Sequence, residues 1–188
     1  MGTDELVLII LLGAANLVLG FGLAITLARK LSKLVDHPIG IRRSFLLIVG
    51  MYFLECLAFP AGMATQIFTV GLAFAWGIVL GGWLRQQSPI PSLLFALQMA
   101  LYTCLPTIIF GIFVPIAWAL TGNSLLSVEA GINFGIPDWI PWPLGSVAGF
   151  ATALVLGTVL LKSVITVGEV SSILHIAQRQ GPDQHAVA

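Results

Sequence analysis

Between Arg43 and Arg85 the chain runs from Ser44 to Leu84 with one acidic residue, Glu55, one proline, Pro60, and no lysine or arginine. A helix crosses the hydrocarbon core of a bilayer in about 20 residues, and this run is about twice that. It is either two spans joined by a tight turn at Phe59-Pro60-Ala61-Gly62, or one long helix kinked at Pro60 and projecting from the membrane. A projecting half would be as apolar as the embedded half, which is unfavourable unless another protein covers it. Two spans, over 44–59 and 62–84, are therefore expected.

The rest of the chain demands the same solvent. Hydrophobic residues make up 58% of the sequence, charged residues only 9%, and the mean hydropathy is +1.03. Soluble domains carry about 25% charged residues. The sequence therefore predicts an all-α integral membrane protein, a polytopic helical bundle forming a single membrane domain over 1–188. Further spans are expected over 5–28, 92–120 and 144–168, which makes five, or four if 44–84 is one Pro60-kinked helix. Pro106 and Pro115 can kink the 92–120 span, and the carbonyls so freed need partners within the bundle.

Charge sets the orientation. The loop 29–43 holds Arg29, Lys30, Lys33, Arg42 and Arg43, five of the eight basic residues. The positive-inside rule places this loop in the cytoplasm and the N-terminus outside. The segment 121–143 carries Glu129 and Asp138 but no Lys or Arg, as an outer loop should. The tail 171–188 is then inside, with a helical start. The opening MGTDELVLII lacks a basic region and reads as the start of the first span, not as a cleaved signal. A bacterial cytoplasmic (inner) membrane is the expected location.

Small residues recur at helical spacing. Gly20 and Ala24 follow Asn16 at i+4, Gly77 and Gly81 end a ridge that starts at Ala61, and Gly145, Gly149 and Gly157 mark a third face. Such faces let neighbouring helices approach closely. Cys56 and Cys104 lie within apolar runs and read as small packing residues.

Few residues carry chemistry. Glu55 is the sharpest, because an ionisable group inside a span is a functional-site hypothesis by default. It could carry a proton, or bind a cation with Gln66 and Asn16 as further oxygen donors. It could instead fix helix packing, with Lys162 as its partner. Lys162 is otherwise expected to snorkel toward the inner interface. Trp139, Trp142 and Asp138 lie in a proline-rich loop at headgroup level, a candidate docking edge.

His37, His175 and His185 all fall outside the expected spans, so no intramembrane histidine pair is present for haem and no cofactor is expected. No CxxC, HExxH, P-loop or GxSxG motif occurs. No basic patch interleaved with aromatics suggests nucleic acid. The expectation is a non-catalytic helical subunit of a larger multi-subunit membrane complex, with the lipid bilayer and other membrane subunits as partners. The alternative is a small oligomeric proton- or ion-coupled transporter or channel that uses the Glu55 carboxyl.

Overall fold

The structure, a computed structural model, describes residues 3–34, 41–62 and 67–179. Every regular element among them is an α-helix: α1 (Thr3–Leu34), α2 (Ile41–Gly62), α3 (Ile67–Leu84), α4 (Pro89–Thr103), α5 (Leu105–Leu120), α6 (Val128–Phe134) and α7 (Val147–Arg179). Three stretches are long and apolar enough to cross a membrane: Ile10–Leu34, Pro89–Leu120 and Val147–Arg179. Only 28%, 28% and 17% of their most apolar windows is buried within the chain, so most of that apolar surface faces outward. In water this would be prohibitive, and in lipid it is the expected arrangement. The protein is a helical membrane protein.

The helices exceed the predicted spans at several ends. α1 continues beyond 28 through Arg29, Lys30 and Lys33, because lysine, arginine and leucine are good helix formers and nothing in the segment breaks it. α2 likewise begins at Ile41, ahead of its two arginines, and it continues through Phe59-Pro60-Ala61-Gly62, so the turn expected there is helical and α3 starts only at Ile67. At the far end, α7 runs on to Arg179 and absorbs the start of the expected tail. The expected outer loop contains a short helix of its own, α6. Ser127 caps it by accepting from the Ala130 N–H, and Gly135 ends it at φ 103°, a left-handed conformation that favours glycine.

The 92–120 span is interrupted. α4 opens after Ser88 with prolines in its first turn, where the missing N–H is harmless. It ends at Thr103, and Cys104 separates it from α5. Pro106 explains the break: it has no N–H for the preceding turn, and its ring crowds the carbonyl four residues back. Pro115, by contrast, is accommodated inside α5.

Two compact units share the long helices. One comprises Leu105–Leu160 with α1 up to Leu17; the other comprises Val18–Cys104 with α7 from Leu161 onward. In the first, α5 meets α7 where Gly111 lies against Val155, and Trp118 sets its ring edge-on to Phe134 of α6. The second contains the apolar run between Arg43 and Arg85. There the Trp76 indole of α3 donates to Glu55 of α2 at 2.7 Å. In one continuous helix these residues would stand about 30 Å apart. α2 and α3 therefore fold back on each other as an antiparallel pair.

Candidate functional site

The buried face of α2 is Ser44, Ile48, Met51, Tyr52 and Glu55, a stripe at three- and four-residue spacing. On α7 a buried stripe runs Thr158, Lys162, Thr166, Val170 and Leu174, each four residues from the last. The two stripes meet at their charged members. Lys162 Nζ lies 2.6 Å from Glu55 Oε2. Lys162 is 1% exposed and Glu55 6%.

The pair is held on both sides. Trp76 Nε1 donates to the other carboxylate oxygen, Glu55 Oε1. Lys162 Nζ also donates to the Thr103 carbonyl at 3.1 Å. That carbonyl belongs to the last residue of α4, immediately before the Cys104 break, so the lysine serves a backbone group that a continuous helix would have kept to itself. Four helices, α2, α3, α4 and α7, thus converge on one ion pair. Breaking such a pair by removing one partner leaves an uncompensated charge at a cost of about 3–5 kcal/mol.

The neighbouring layer is also polar and also closed. Tyr52 stacks on Tyr102 with ring centroids 4.9 Å apart, and the Tyr102 hydroxyl donates to the Gly20 carbonyl of α1. Thr166, one turn from Lys162, donates to the Ala73 carbonyl of α3.

The expected small-residue faces fare differently. On α1 the residues Asn16, Gly20, Ala24 and Ala28 are all buried, and a side chain at Gly20 would overlap the Tyr52 ring. Gly77 and Gly81 of α3 lie against Glu169 and Ile173 of α7, so these two helices run parallel in close contact. The third face does not behave as a helix contact. Gly145 precedes α7 and lies against the Ile140 carbonyl, Gly149 lies against the Pro143 carbonyl, and Gly157 has no atom near the position of a side chain. Periodicity alone missed that the helix starts after Gly145.

Of the candidate ion-coupling residues, Glu55 is at the centre, and Asn16 is buried on α1 in the other compact unit. Gln66 lies outside the described residues. Lys162 does not snorkel: it sits near the midpoint of α7 and points into the packed interior. Trp139 and Trp142 are 78% and 67% exposed, and Asp138 is exposed beside them. The sequence reading missed Trp76, Tyr102 and Thr103. One signal was available, since Thr158, Lys162 and Thr166 recur at i+4 in an otherwise apolar helix.

No family model matches the chain, and neither the curated proteins nor the solved structures compared with it include a match.

Proposed function

We propose that the chain is a non-catalytic helical subunit of a multi-subunit membrane complex, in which it packs against and stabilises partner helices. The observation that carries this reading is the closure of the Glu55–Lys162 pair. Glu55 is already occupied by Lys162 and Trp76, and the lysine by Glu55 and Thr103. The sharpest chemical group in the membrane is thereby used to join four helices. What the chain offers outward is apolar helix surface and the exposed Trp139 and Trp142 with Asp138, a docking edge for a partner at headgroup level.

The topology we propose has five spans, α1, α2, α3, α4 with α5, and α7, in a bacterial cytoplasmic membrane. The N-terminus is outside, and the arginines and lysines at the ends of α1, α2 and α3 are in the cytoplasm. The antiparallel α2 and α3 support the count.

One observation favours a second reading, a small oligomeric ion- or proton-coupled transporter. The helix break at Cys104 adjoins a membrane-embedded charge pair, and broken helices beside charged groups are a feature of transporter sites.

Affinity purification from native membranes into nanodiscs, followed by mass spectrometry, tests the choice. Fixed stoichiometric partners are expected. A homo-oligomer without partners that moves protons or a cation in liposomes, with Glu55→Gln abolishing transport, would replace the first reading by the second.

A further inference from the structure

Two cavities flank the first turns of α4 and share the side chain of Leu94. The first, about 320 Å³, lies between the end of α1 and the start of α4. Lys30 and Lys33 line it with Gln98, and Leu34 and Phe95 give it an apolar floor. Among the described residues, no carboxylate lines it. Lys30 is not left to wander: its Nζ donates to Gln98 Oε1 at 3.1 Å, which ties the ammonium across the cavity. The second, about 650 Å³, is a groove between α4 and α7, with Ile90 and Ser171 toward one end and Leu97 and Ser163 toward the other. Its length along α7 is about 12 Å. Its walls are almost wholly aliphatic, including Val164 and Val167.

The two chemistries follow each other in the order that a phospholipid presents them. Lys30 and Lys33 occupy the last turns of α1, and α4 starts at Pro89, so the basic cavity sits at the helix ends, where lipid headgroups lie. Basic pockets between helices at this depth bind anionic headgroups. The apolar groove leads from the same end toward the interior of the membrane. A soluble phosphate would use the lysines and leave the groove empty. A lipid without net charge would use the groove and make less of the two lysines.

We propose that the two cavities together hold one anionic glycerophospholipid, its phosphate between Lys30 and Lys33 and one acyl chain along the α4–α7 groove, passing over Leu94. The lipid would join α1, α4 and α7 from outside, at the end of α1 that carries Lys30 and Lys33.

Native mass spectrometry of the full chain in mild detergent, titrated with phosphatidylglycerol or phosphatidylcholine, tests this. Phosphatidylglycerol is expected to be retained in preference to phosphatidylcholine. Lys30→Gln with Lys33→Gln should weaken its binding on the order of thirtyfold, from roughly tenfold per 1.4 kcal/mol and about 1 kcal/mol per basic residue. Lys30→Arg with Lys33→Arg should retain it, which separates lost charge from lost folding. Val164→Trp, which fills the groove without changing charge, should also weaken it. Equal retention of the two lipids, full binding by the double glutamine variant, or complete displacement of the lipid by inorganic phosphate would each overturn the proposal.

Discussion

Lys162 of α7 and Glu55 of α2 form an ion pair at 2.6 Å, and both are almost wholly buried. Membranes make such groups expensive when alone, and the pairing offsets part of that expense. The fold around the pair is therefore sensitive to the loss of either partner, and much less so to the loss of both.

Lys162→Met leaves Glu55 without its cation, and Glu55→Leu leaves Lys162 without its anion. Each should destabilise the protein by about 3–5 kcal/mol, whereas the double variant should lie close to the parent or above it. Unfolding by graded addition of SDS in mixed micelles, followed by circular dichroism, measures the difference. Additive losses in the double variant would mean that the two groups act independently.

Trp76→Phe keeps an aromatic ring, a smaller one, and removes the indole N–H that donates to Glu55 Oε1. A hydrogen bond to a charged group contributes about 1.5–3 kcal/mol, so the same assay should register a loss of that order. In a Glu55→Leu, Lys162→Met background the acceptor is gone and the same substitution should cost much less. A loss of equal size in both backgrounds would place the role of Trp76 in its packing alone.

Two glycines, Gly77 of α3 and Gly157 of α7, give a contrast. A methyl group at Gly77 would overlap Glu169, and Gly77→Ala should cost about 1–3 kcal/mol through overpacking. Gly157 of α7 has open space there, so Gly157→Ala should be neutral or add up to about 1 kcal/mol through helix propensity. Thermal stability of the two variants in detergent, read by size-exclusion chromatography after heating, should separate them in that order.

The antiparallel α2 and α3 place Arg43 and Arg85 at one end of the pair. In a chain lacking Cys56 and Cys104, cysteines at positions 43 and 85 should react with an impermeant maleimide from the same side of sealed membrane vesicles. Labelling from opposite sides would contradict the fold of this segment.

Much of this molecule is legible from local pattern. Long apolar runs call for a membrane because so much apolar surface is unfavourable in water, and they cross it as helices because backbone groups must be satisfied within the segment. The spacing of Asn16, Gly20, Ala24 and Ala28 puts them on one face of a helix, and that face is buried. Glu55 stands out because it is the one acidic residue in its run.

Other features depended on long-range packing. The partner of Glu55 lies on the last helix, and the sequence places Lys162 as readily at the interface as in the interior; the register of α7 against α2 and α3 decided it. Gly145, Gly149 and Gly157 share a spacing with the packed glycines, yet α7 starts only at Val147, and its surroundings leave Gly157 open. Pro106 announced a weak point in the 92–120 span, but the use made of the Thr103 carbonyl required Lys162 to arrive from elsewhere in the chain. Sequence alone determined the solvent of this protein and the faces of its helices, because burial in lipid and helical periodicity act over a few turns. The tertiary structure decided which faces meet and which charges pair, because those choices rest on contacts between helices distant in the chain.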